Sequence, residues 1–534
     1  MSRRSTIFVK HTFGGGWATD FGPSAIVPIE QNGHATVPFL TAAENIIYEL
    51  DGGPHKFPGV TKNFAAALES GADITGIYDA WFSGVAGTPT QRRIMHVGTK
   101  IKNDAGNNTF ADLFTGMTAG AIPCYTMFED ILIMSNTTEV PKSWDLTTAQ
   151  NLAGSPPQFA FSCAHKNKVW ASGAVAAPSR LYYCVDFNPA DWTSSGSGFI
   201  DIDPDDGDII TGIASYNDDL WVFKGPNKGS IHRITGSAPT GGDAYARRTF
   251  NRGVPCGSHN SIVHFANDLA FMCSDATVRT LSAVAAYGDF TEAAASRPIN
   301  RWLRDHVTKG SIRKVQAADW DDYGIVIFGI PIDNATVNNC LIAMDYRFQP
   351  ARWAKWPAMS QSISLGAALD LTTKAHQILL GGTDGFLRTM GSATRTIDTS
   401  TAIPLNVATP FMDYDVPERM KTMGGGAVTV VPVTNGSLTY GWSRDGKTNQ
   451  TKALTISGAG AVLGSFILGQ DSLAIDRYLD VFFRPDKGDD AGEDEGGEFR
   501  AIRYTFTNGV AGMDIEMHTF SSWITPAAES FENS

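Results

Sequence analysis

DLAFMCSDATVRTL, residues 268–281, packs an apolar run, a turn and a returning run into fourteen positions. Leu269 to Met272 is continuously apolar, Ser274 and Asp275 are turn formers, and Ala276 to Arg279 alternates apolar with polar on the way to Leu281. Short runs of this kind, bounded by turn formers, read as strands, and two of them back to back read as a hairpin. ILLGGTDGFLR, residues 378–388, repeats the logic around Asp384-Gly385, a pair that accepts the positive φ of a tight turn.

The same texture extends in both directions. LWVF (220–223), GIVIFGI (324–330) and CLIAMDY (340–346) are further strand-like runs closed by Gly, Asn or Asp. Helical periodicity is scarce. PINRWLR (298–304) places Ile299, Trp302 and Leu303 on one face, with Pro298 suited to a first helical turn. A short Ala-rich stretch from Asn63 to Gly71 is a second helix candidate.

Residues 36–400 are too many for one sandwich, and no Pro/Gly/Ser linker divides them. A radial array of four-stranded blades, each of roughly 40–50 residues, absorbs about seven or eight such units. Trp170, Trp221, Trp320, Trp353 and Trp356 fall on or near strand-like segments and are expected to pack between adjacent sheets. After residue 400, AVTVV (427–431), GSLTYGW (436–442), YLDVFF (478–483), RAIRYTF (500–506) and DIEMH (514–518) predict a compact β-sandwich over 401–524. The expected fold class is therefore all-β: a β-propeller-like array of antiparallel blades followed by a C-terminal β-sandwich. Residues 1–35 are expected as an extended arm and 525–534 as a flexible tail.

Composition agrees. Only 18% of the 534 residues are charged, and Gly (54) and Pro (26) are abundant, which excludes a coiled coil or a charge-rich disordered chain. The net charge of −13 argues against a basic surface for whole-face nucleic-acid binding. No stretch approaches the ~20 apolar residues of a membrane span. Two arginines open the chain without an apolar segment behind them, so no secretory signal is expected. Cys124, Cys163, Cys184, Cys256, Cys273 and Cys340 form no CxxC pair and read as reduced, mostly buried thiols.

Chemistry-bearing motifs are sparse. The chain has no GxSxG, P-loop or HExxH, and no helix is expected after Gly14–Gly16 to make a dinucleotide turn. Ser443-Arg-Asp445-Gly446 matches in part the turns that recur in sialidases, but it occurs once and outside the propeller region. The histidines are scattered and read as core or surface residues. DIDPDDGD, Asp201 to Asp208, has alternating carboxylates like a calcium loop, yet Gly is displaced by one place and position 212 is Gly where Glu belongs. A solvated acidic turn is the favoured reading. No catalytic, cofactor-binding or metal residue is expected, and neither is enzymatic activity.

FLTAAENIIYELDGGPHKFPG, residues 39–59, resembles the opening of propeller proteins in the tails of double-stranded DNA bacteriophages. In that family an N-x-x…D-G-G-x-x-K-R-P-G passage precedes the first blade; here Phe57 stands where a basic residue is usual. The blocks 220–234, 252–257 and 271–275, the hairpin 325–346 closed by Arg352 to Trp356, and the terminal sandwich are similar to the same family. By order and length the chain resembles the hub or nozzle proteins of short-tailed phages, also called packaged-DNA stabilisation or tail accessory factors. The resemblance implies a virion structural protein, folded in the bacterial cytoplasm, that forms a ring, usually hexameric, below the portal and adaptor. Its implied partners are further copies of itself, portal and adaptor rings, tail fibre or needle proteins, and DNA passing without sequence-specific binding. An acidic lumen would let DNA slide. A tail-tip or fibre-network protein of a long-tailed phage is the nearer alternative, a carbohydrate-binding propeller a more distant one, and a propeller hydrolase the most distant.

One segment is expected to stand out from this frame. Asp486–Glu498 holds seven carboxylates against the single Lys487, so it is expected to face solvent.

Overall fold

The computed structural model describes residues 7–22, 24–25, 34–83, 89–104, 108–288, 294–370, 373, 375–398, 400–432, 434–456, 479–483 and 498–526. The acidic segment expected to face solvent lies outside these residues except for Glu498, as does most of the expected tail. Strand accounts for 53% of the chain and helix for 8%, so the all-β reading holds. No helix among the described residues is long and apolar enough to cross a membrane.

The chain forms two compact units, each assembled from separate stretches. The first comprises 62–343 and 359–390. Here antiparallel sheets follow one another in chain order. Ile74–Phe82, Thr90–Val97, Lys100–Asp104 and Phe110–Thr115 make one, and Cys124–Phe128 through Ala149–Asn151 the next. The sheets opened by Phe161–His165 and Ile209–Tyr216 repeat the pattern, and Val263–Phe265 opens a sheet of three strands. Gln316–Trp320 and Ser362–Leu369 open the last two. One segment from each of these seven sheets lines a common axial cavity. The ring closes where the Ser364 hydroxyl donates to the Ile74 carbonyl at 2.6 Å. There Ile74, Met95 and Val97 share a core with Leu379 and Leu387. This is a β-propeller.

Local sequence explains the sheets. Cys124–Phe128 alternates buried and half-buried, as a strand with two unlike faces must. Asp219–Gly225, flanked on both sides by strands, is buried throughout, and its centre, Leu220 to Phe223, is continuously apolar. Neighbouring sheets bury their facing side chains together: Trp170, Leu181 and Ile202 of one pack with Ile213, Leu220 and Ile234 of the next. Trp170 and Trp320 are 1% and 2% exposed, and Trp221 is buried, as structural tryptophans between sheets should be.

The helices divide three ways. Asn300–His306 is helical behind a 3-10 turn Arg297–Ile299, where the sequence expects it. The Asn63–Gly71 candidate is corrected: only the 3-10 turn Leu68–Ser70 forms, ended by Gly71 at φ 90. Phe64 and Leu68 only half-bury themselves against the neighbouring core, and Glu69 and Ser70 take positive φ, which ends any helix there. Leu281–Tyr287 is a helix that the hairpin reading of 268–281 did not foresee. The returning strand stops at Thr280, whose hydroxyl accepts from the Ala283 N–H and caps the helix.

The second unit comprises 1–61, 344–358 and 391–534. Its boundaries differ from the collinear expectation: residues 36–61, 344–358 and 391–400 belong with the C-terminal strands. Residues 1–35 are not only an extended arm, because Ile7–Phe13 pairs antiparallel with Ile515–Pro526 and parallel with His34–Val37. Lys421–Pro432 lies on the other side of Ile515–Pro526. The facing sheet runs through Ile502–Asn508, flanked by Leu405–Ala408 and Gly436–Arg444. Between the sheets Phe13, Tyr504, Phe506 and Phe520 pack with ring centroids 5.2–6.0 Å apart. Burying such rings is the main term holding two sheets together. The Tyr414 hydroxyl, 2.7 Å from that of Tyr504 and 3.0 Å from the Ser522 Oγ, satisfies the polar atoms this core encloses.

Gly14–Gly16 turns out to be a close-packing site. A Cβ on Gly15 would sit 2.0 Å from the Pro38 carbonyl oxygen, and one on Gly16 2.9 Å from Arg352. Only glycine lets the backbone approach this closely.

Candidate functional site

The propeller axis carries two cavities, of about 520 Å³ and about 560 Å³. They share Cys124, His259 and Asn260, which therefore stand between them. Cys124 opens the strand Cys124–Phe128, while His259 starts a 3-10 turn at the head of its sheet. The His259 ring lies flat on Phe161, with centroids 4.7 Å apart and planes at 14°. The Ile213 N–H donates to its Nδ1 at 3.4 Å, leaving Nε2–H to face the Cys124 sulfur at 3.4 Å.

A cysteine beside a histidine invites comparison with a nucleophile and its base. The electrostatics argue otherwise. Burial pulls the His259 pKa down to about 4 and pushes the Cys124 thiol up to about 11. Both groups are neutral near pH 7, so the pair lacks the thiolate that nucleophilic chemistry needs.

The two cavities differ in charge. The first has Arg313 and Lys314 among its lining residues and no Asp or Glu. The second includes Asp79, whose Oδ2 accepts from Gln91, Trp81 and the Leu369 N–H. Desolvation outweighs those bonds and raises the Asp79 pKa. Tyr78 and Tyr125 stack beside it at 5.5 Å.

The acidic run Asp201–Asp208 does not converge on a cation. Asp201 pairs with Arg180 at 2.7 and 3.0 Å, Asp203 with Arg247 at 2.5 Å, and Asp206 with the buried Lys224 at 2.7 Å. Asp208 accepts from three successive backbone N–H groups, those of Asn227, Lys228 and Gly229. Each of these carboxylates is spent separately. Ser443 and Asp445 are likewise structural: the Ser443 hydroxyl donates to the Lys447 carbonyl, and Asp445 accepts from the Arg500 and Ala501 N–H groups.

In the second unit, Glu49, His55 and Glu516 bring ligand-type atoms within 4.8 Å of one another. Sequence reasoning missed this group because Glu516 lies hundreds of residues from Glu49 and His55. His55 Nδ1 is 2.6 Å from Glu49 and Nε2 is 2.7 Å from Asp514, with Arg395 also on Asp514 at 2.9 Å. Burial opposes charge on His55, but the Asp514 and Glu49 hydrogen bonds outweigh it and raise the pKa. Glu49 and Asp514 on the two ring nitrogens, with Arg395 Nη2 2.8 Å from Nε2 and Arg395 Nε on Asp514, make the cluster an ion-pair clamp. Residues 39–59 also lie in this unit. Phe57 is fully buried 4.4 Å from Trp356, and Lys56 donates to Asn508 and to the Val510 carbonyl. Trp353 and Trp356, expected between blades, are fully buried in this unit instead.

No family profile and no curated protein matches the chain. Among solved structures it is similar to YCF48 bound to a D1 peptide, at 10% identity and a TM-score of 0.37, covering 63% of this chain and 98% of that one. It is also similar to the extracellular domain of the hybrid two component system BT4673 from B. thetaiotaomicron, at 10% identity and a TM-score of 0.29. That match covers 65% of this chain and 38% of the other. The propeller assignment rests on the strand order and the shared axial cavity described above.

Proposed function

We propose that the protein is a non-enzymatic structural component of a double-stranded DNA phage tail: a ring-forming nozzle or hub below the portal and adaptor. The observation that carries the non-enzymatic part is the neutral Cys124–His259 pair at the propeller axis, where an active centre would be expected. The tail assignment draws on the sequence resemblance over residues 39–59 and the later blocks. The arrangement of the chain is consistent with it, since a unit built from both ends of the sequence carries a propeller inserted between them. In this reading the net charge of −13 per copy keeps passing DNA from sticking.

The test is the mass of the purified protein in solution, by light scattering, with electron microscopy of the same sample. A closed ring, hexameric for a nozzle, that binds recombinant portal–adaptor complex supports the reading. A monomer at all concentrations that is absent from purified virions overturns it.

A further inference from the structure

We propose that the 520 Å³ axial cavity is a binding site for a small organic monoanion with a flat apolar body, such as an aryl carboxylate. The site stands apart from the tail assignment, and either can fail alone.

Charge selects the anion. Among the residues lining this cavity, Arg313 and Lys314 are the charged ones and no carboxylate accompanies them, although the chain as a whole is acidic. Among the described residues neither side chain has an ion-pair partner, so both charges remain available to a ligand. Their backbone is fixed in place. The Ser258 hydroxyl lies 3.0 Å from the Arg313 carbonyl and 2.8 Å from that of Val315, while Asn338 donates to the Lys314 carbonyl at 2.7 Å. The two cations therefore stand on a segment pinned at the axis, which lowers the ordering cost of binding.

The rest of the cavity selects the apolar body. Ile122, Ala160, Ala174, Pro178 and Ile210 contribute apolar wall. The stacked Phe161 and His259 rings add a flat aromatic surface, and burial keeps His259 uncharged. The volume falls in the range of small-molecule sites. The second axial cavity contains Asp79, so an anion has one favoured end of the axis.

The probe is 2-naphthoate, titrated calorimetrically into the full-length protein, with the neutral isostere 2-naphthalenemethanol in parallel. Saturable one-site binding of the acid, at least tenfold tighter than the alcohol, is expected. Arg313→Glu/Lys314→Glu, at an exposed and a half-buried position, should weaken the acid at least tenfold without lowering the melting temperature. Equal affinity for acid and alcohol, no binding of the acid at 1 mM, or full binding by the double variant would each overturn the proposal. Should that variant melt early, Arg313→Gln and Lys314→Gln tested singly apply the same criterion.

Discussion

Nε2 of His55 lies 2.7 Å from Oδ1 of Asp514, joining residues 459 positions apart through one imidazole. Its other nitrogen holds Glu49, so the hairpin around residues 46–56 and the start of the last strand are tied by a single imidazole. The His55 pKa is raised, so its stabilisation is fully present below the ordinary 6.5 and is lost as pH rises through the raised value. Glu49 and Asp514 have lowered pKa values, so their share is lost on the acid side. His55→Gln should cost about 2–3 kcal/mol near pH 6. Calorimetric melting should show a gap that narrows at pH 9; an equal gap at both pH values would mean the ring contributes only packing.

Acid should loosen the molecule for a second reason. Burial lowers His11 to about 3 and His165, His232 and His259 to about 4. Unfolded histidine takes up a proton below 6.5 and these folded ones do not, so stability falls as pH drops from 6.5 toward 4. The loss is of order 1–3 kcal/mol per ring. His11→Gln should flatten the slope of melting temperature against pH in that interval, and an unchanged slope would count against this account.

Phe57 is fully buried against Trp356. Phe57→Arg buries an unpaired charge and should cost more than about 3 kcal/mol. Phe57→Leu should cost roughly 1–2 kcal/mol. Chemical denaturation of both variants separates the two; similar losses would show that the pocket admits a guanidinium.

The acidic turn should be indifferent to calcium. Adding millimolar calcium should leave the melting temperature unchanged, because Asp201, Asp203, Asp206 and Asp208 point to separate partners. Asp208→Ala should cost about 1–3 kcal/mol by leaving three backbone N–H groups unpaired. A calcium-induced rise of several degrees would reverse this reading.

The thiols should be silent in the native state. Burial raises Cys124 to about 11 and Cys256 to about 12, and holds Cys163 and Cys273 higher still. A thiol-specific disulfide reagent at pH 8 should label none of these four until denaturant is added. Rapid native labelling of Cys124 would reopen the question of a nucleophile at the axis.

Much of the fold was legible because its signals are local. Apolar runs bounded by turn formers specify strands, as in Ile325–Ile330 and Cys340–Asp345, and the spacing of Ile299 and Leu303 marks the helix Asn300–His306. Side-chain period and turn chemistry act over a few residues, so the class of fold and the repeated sheets can be read from the chain alone. What joins distant segments cannot. The pairing of Ile7–Phe13 with Ile515–Pro526, the His55 clamp and the meeting of Cys124, Phe161 and His259 at the axis involve residues with no shared periodicity. Only packing decided them, because a strand edge or an imidazole finds its partner by burial and geometry in three dimensions, and neither leaves a spacing in the sequence.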